Sequence, residues 1–123
     1  MQAKGAVGAN RARRFSRIAN DCFFLALGSG KDKIDHFLAR SEKFCSLAVE
    51  EDPASPIYRN NRALVRAGRD DFEGAFLDFE AAKRLCRGNE ERIAVVERNS
   101  QTACDRIGAE RRKHLLKSIP IGI

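Results

Sequence analysis

A chain of 123 residues with 43% hydrophobic and 33% charged side chains has the length of one domain and is too apolar to stay disordered. Its net charge of +6 is concentrated in the first twenty residues, where Lys4, Arg11, Arg13, Arg14 and Arg17 meet no acid. No apolar run reaches the roughly 20 residues that span a bilayer, and no secretory signal pattern is expected at the start.

The composition, rich in Ala, Leu, Arg and Glu and with no Trp, favours an all-α fold. Residues 1–10 read as a basic arm. Such an arm suits RNA, an acidic protein or an anionic membrane, and it also has the composition of an organelle-targeting remnant. The first predicted helix runs over 11–27, with Phe15, Ile18, Cys22 and Leu25 at helical spacing. GSGKD (28–32) breaks it. A phosphate loop is excluded there, because Leu25 occupies the first glycine position and Asp32 replaces the Ser or Thr. Asp32 is expected to cap a second helix that buries Ile34, Phe37, Leu38, Phe44, Cys45 and Ala48 and ends before Pro53.

A third helix follows Pro56. On its wheel Ile57, Tyr58, Asn61, Ala63, Leu64, Val65 and Ala67 cover one arc, and Arg59, Arg62, Arg66 and Arg69 fill the remaining wedge. Asp70 with Glu73 predicts a capping box for a fourth helix, whose stripe is Phe72, Ala75, Phe76, Phe79, Ala82 and Cys86. Gly88 suits its left-handed C-terminal cap, and Asn89 caps a further helix, either continuous over 89–117 or broken near Gly108, with Ile93, Val96, Ala103 and Ile107 on one face. The apolar tail SIPIGI (118–123) either tucks into the body or docks on a partner.

Helices joined pairwise by tight turns suggest internal repeats. Asn61-Arg62-Ala63-Leu64, then Phe72, Ala75, Phe79 and Ala82, resemble the packing positions of a tetratricopeptide repeat. One repeat is expected at 56–88, a degenerate one at 11–53 ending in AVEEDP (48–53), and a capping helix at 89–117. The resemblance implies a short antiparallel helix–turn–helix solenoid of about five to six helices and a protein-binding role. Two positions depart from the family: Arg66 stands where it has a buried aromatic, and Arg59 occupies a usually large packing position. Some family members clamp C-terminal carboxylates with Asn and basic residues over three repeats. Asn61 matches the clamp's Asn, but only Arg98 among the other positions is suitable, so Asn61 is expected to make a structural hydrogen bond.

His36 and His114 are isolated, and the carboxylates group as helix caps and solvated faces. No enzyme, cofactor or metal is therefore expected. The four cysteines, Cys22, Cys45, Cys86 and Cys104, form no C-x-x-C pair, as suits buried thiols in a reducing intracellular compartment, cytoplasm or organelle interior. The arginine row Arg59, Arg62, Arg66 and Arg69 is either a solvated face paired with Asp70, Asp71 or Glu73, or a docking surface. With Arg11, Arg13, Arg14 and Arg17 it forms the candidate partner-binding set, for an acidic protein surface, a peptide or a multi-protein complex. Nucleic acid, contacted by the basic arm within a ribonucleoprotein, is the alternative.

Overall fold

Helical periodicity breaks where the sequence places Gly, Pro and Asp, and the computed structural model, which describes residues 5–102 and 105, is helical between those breaks. The elements are α1 (Gly5–Leu27), α2 (Lys31–Glu51), α3 (Pro56–Gly68) and α4 (Phe72–Leu85), followed by a fifth helical segment over residues 90–102. Every element among the described residues is therefore α-helical. Lys4, Ala103, Cys104, Ile107, His114 and the tail 118–123 lie outside the described residues.

Local chemistry sets the boundaries. Pro56 occupies the start of α3, where its missing N–H costs nothing. Gly88 adopts φ 88° beyond α4, and Asn89 Oδ1 accepts from Arg92 N at 3.1 Å to cap the fifth segment. Three expectations are corrected. Helix α1 begins at Gly5, so residues 5–10 belong to its first turns instead of a separate arm; the alanine-rich stretch there holds no proline to stop it. The N-cap of α2 is Gly30, with Asp32 inside the first turn. The N-cap of α4 is Asp71, whose carboxylate accepts from Gly74 N at 3.0 Å. A Cβ at Gly74 would collide with that carboxylate. Asp70 instead takes the left-handed turn position at φ 64°, which Asp tolerates better than most residues.

Successive helices run antiparallel, as short connections require. Between α1 and α2, Arg11 pairs with Glu51, Phe15 lies 6.1 Å from Phe44 ring to ring, and Ser41 Oγ donates to Ala19 O at 2.8 Å. As one partner advances, the other retreats. The pairs α1–α2 and α3–α4 make the most extensive contacts, with α2–α3 the lesser joint.

The interior divides into two clusters. Ala19, Ala26, Leu38, Cys45 and Val65 form the first, packed round by Phe23, Ile34, Phe37 and Phe44. Ala63, Ala75, Phe79, Ala82, Cys86 and Val96 form the second, with Leu64, Ala67 and Ile93 against it. Helix α3 contributes to both.

Helix α1 turns alanines inward: Ala12, Ala19 and Ala26 are buried with Cys22, while Ile18 and Leu25 of its expected stripe face out. Small residues let two helices approach closely. Phe76 likewise stands outside the α4 stripe, and Ile57 outside that of α3. The buried amide of α3 is Asn60, which accepts from Asn99 Nδ2 at 3.4 Å, and not the expected Asn61.

Candidate functional site

The arginine row is built into an ion-pair network that joins three helices, and the structure turns Arg62 and Arg66 inward. Asp78 sits on the buried side of α4 between Ala75 and Ala82, where its carboxylate is only 3% exposed. Arg62 of α3 meets it with a two-pronged contact, Nε to Oδ2 and Nη2 to Oδ1, both at 2.8 Å. That planar fork matches a carboxylate's two oxygens. Arg66, one turn on, donates Nη1 to the same Asp78 Oδ2 at 3.0 Å.

Helix α2 supplies the second anion. Glu42 accepts from Arg66 Nε at 3.1 Å and from Arg69 Nη1 at 2.8 Å, while Ser46 Oγ accepts from Arg62 Nη1 at 3.2 Å. Asp71 Oδ2 stands 3.9 Å from Arg66 Nε. Three guanidinium groups thus share two carboxylates and one hydroxyl, stitching α2, α3 and α4 together. Bonding to Asp78 raises the pKa of Arg62 against the opposing effect of burial. Beside the seam, burial pushes the Cys45 thiol up to about 12, although the bond with Ser41 works the other way. A thiol so protonated is a poor nucleophile.

The expected solvated wedge is therefore an inter-helix interface for Arg62 and Arg66, with Arg69 pairing at its exposed edge, and its acids are chiefly Glu42 and Asp78. Arg59 stands apart, half-buried, with Nε enclosed and unpartnered. Sequence reasoning missed Glu42, Ser46 and Asp78. One signal was available, because Asp78 falls at the phase of the buried α4 stripe, where an acid demands a cation.

The α1 arginines have a different setting. Arg11 reaches Glu51 at 3.5 Å, and Arg13 Nη2 donates to Asn10 Oδ1 at 2.6 Å. Arg13 also lies near Tyr58, whose phenol pKa is raised by burial and by Asp52, with Arg13 opposing. Arg14 and Arg17 are exposed, without a carboxylate partner among the described residues.

Of the positions that carry the resemblance, Ala63, Leu64, Ala75, Phe79 and Ala82 converge on one cluster, whereas Phe72 and Asn61 are half-buried. Arg98 lines a shallow polar depression of about 610 Å³ with Lys83, Ala94, Glu97, Ser100 and Gln101; Asn61 is not on its wall. Cys22, Cys45 and Cys86 are buried and free. Among the described residues no His, Cys, Asp and Glu gather as metal ligands, and no helix is long and apolar enough to cross a membrane. Compared with known proteins, the chain matches no family model, no curated protein and no solved structure.

Proposed function

We propose that the chain is a non-catalytic, tetratricopeptide-like interaction module, an adaptor or structural subunit of a larger assembly. The observation that carries this reading is the distribution of large apolar side chains. Phe24, Leu25 and Leu27 of α1 are 69%, 53% and 65% exposed, and Phe76 and Leu77 of α4 are 59% and 65% exposed. Small residues fill much of the interior while these large ones face outward. Apolar surface concentrated in this way marks a surface that another molecule covers. The pairwise packing around Ala63, Ala75, Phe79 and Ala82 supports the repeat assignment, and the buried thiols suit a reducing compartment.

Crosslinking the full chain in its source cells, followed by mild purification, tests the reading. A single protein recovered near equimolar amounts is the expected result. A highly stable monomer recovered alone sinks it.

The exposed Arg14 and Arg17, with Arg11 and Arg13 on the same helix, favour a second reading: a nucleic-acid-associated subunit of a ribonucleoprotein. It predicts RNA affinity that falls steeply with salt and with neutralisation of these four arginines. Absence of RNA binding at low salt removes it.

A further inference from the structure

Helix α1 has two faces of use. Ala12, Phe15, Ala19, Cys22 and Ala26 line the one turned to α2. Roughly 140° around the axis, at 100° per residue, runs a second line: Arg13, Arg17, Asn20, Phe24 and Leu27, all exposed. It changes character along its length. Two cations come first, an amide follows, and two large apolar groups end it. Arg14, Asp21 and Leu25, all exposed, flank it on one side: a cation at the first end, one acid at the middle and an apolar group at the last.

We infer that this outward line of α1 is a docking seam for one helix of a partner protein, bearing carboxylates at one end and apolar side chains at the other. The inference rests on the interaction-module reading and specifies its partner. The shape argues for a helix, because a straight ridge of 14 residues' rise, about 21 Å, is met along its length by another helix laid beside it. Charge complementarity sets the partner's polarity. Arg14 and Arg17 have no carboxylate partner among the described residues, and Arg13 bonds only the neutral side chain of Asn10. Partner acids at that end would gain pairing that the chain itself does not supply, while burial of Phe24 and Leu27 provides most of the affinity.

A lipid surface fits less well. The apolar end of α1 leads into Lys31, Asp32, Lys33 and Asp35, a mixed-sign stretch that an anionic membrane would not favour. RNA fits less well too: Phe24 alone of the apolar group can stack on a base, while Leu25 and Leu27 beside it offer nothing to phosphates or bases.

The test uses the full chain and two synthetic helical peptides about four turns long. Both carry leucines in one half; the other half holds glutamates in the first peptide and lysines in the second. Fluorescence anisotropy at physiological ionic strength should show the glutamate peptide binding at least roughly tenfold tighter than its lysine twin. Arg13→Glu with Arg17→Glu should invert that order. Phe24→Ser with Leu27→Ser should weaken both peptides by roughly tenfold or more. All four side chains are exposed, and circular dichroism checks that each variant keeps its helices. Glu73→Gln, exposed on α4 and outside the apolar surface, should leave binding unchanged.

Failure of both peptides to bind, or equal binding of the two, overturns the seam. So does self-association, vesicle binding or RNA binding that depends on the same four residues, since each assigns the face to another occupant. The crosslinking experiment, repeated with all four substitutions combined, separates this proposal from the reading beneath it. If the equimolar partner is recovered undiminished, the seam is wrong and the module reading stands. If neither chain recovers a partner, the reading fails and the seam with it.

Discussion

Asp78 shows how much one residue can organise. Its enclosed carboxylate bonds Arg62 and Arg66 together, and desolvating those ions is repaid only while the partners stay in place. Asp78→Ala should therefore cost about 3–5 kcal/mol, measured by urea denaturation, because it leaves guanidinium groups half-buried without their anion. Replacing the pair together, Arg62→Met with Asp78→Leu, should return stability to within about 1–2 kcal/mol of the parent, since well-packed apolar groups often substitute for a buried ion pair at little cost. If the double variant is as unstable as the single one, packing around α4 rather than charge explains the loss. Cys45 makes a separate prediction about alkali. Its folded pKa is pushed from 9.0 up to about 12, so above pH 9 the unfolded chain releases a proton that the folded chain retains. Stability is complete below pH 9 and is lost as pH rises towards 12, by about 1.4 kcal/mol per pH unit from this group. Tyr58, also raised, acts in the same direction at higher pH. Urea midpoints at pH 8, 9 and 10 should fall less steeply for Cys45→Ala than for the parent; parallel slopes would rule out the thiol as the cause.

At the scale of elements, α1 is where small residues matter most. The approach to α2 depends on Ala19 and Ala26, and Ser41 reaches the carbonyl of Ala19 only because the helices lie close. Ala19→Leu or Ala26→Leu should destabilise by about 1–3 kcal/mol through overpacking, whereas Leu25→Ser, on the opposite side, should stay within about 0.5 kcal/mol. Thermal melts that rank these the other way would show that α1 is packed in a different phase. The same helix shows what the sequence could reveal. Pro56, Gly88, Asn89 and the stripe Ala75–Phe79–Ala82–Cys86 were legible, because caps and breakers act locally and that stripe recurs at helical spacing, although Phe76, counted with it, faces out. The phase of α1 was not, since periodicity weighs Ile18 and Leu25 above alanines, and only the neighbouring helix decides which line is buried. The arginine row was legible as a row, but its destination was not. Glu42 and Asp78 lie 24 and 12 residues from Arg66, on elements whose placement a helical wheel cannot express. Asp70 drew the cap assignment because Glu73 stands three residues on, whereas Asp70 takes the left-handed turn and its neighbour Asp71 caps the helix.

Among the described residues, α1–α2 and α3–α4 form two helix pairs with separate apolar clusters, the fifth segment packing on the second, and the joint between the pairs is largely polar. Across α2–α3 the apolar contribution includes Val65 and the approach of Leu38 to Gly68, while Glu42 and Ser46 accept bonds from Arg62 and Arg66 of α3 and from Arg69 just past its end. In an array of stacked repeats, stability is the sum of each unit's own stability and its nearest-neighbour interfaces. Weakening one interface then reduces cooperativity more than it alters either unit. Glu42 is the residue through which this can be tested, because it serves the joint without belonging to either apolar cluster. Glu42→Gln keeps the shape and one acceptor but removes the charge that two arginines share, at an expected cost of about 1–3 kcal/mol. Native-state hydrogen exchange should show that loss unevenly: amides of α3 and α4 lose protection while those at the centre of α1 and α2 keep theirs, as sub-global opening requires. Glu73→Gln, on the exposed side of α4, should change neither. Equal loss of protection in all four helices would mean that the two pairs open as one unit, with the arginine seam reinforcing a single structure rather than joining two.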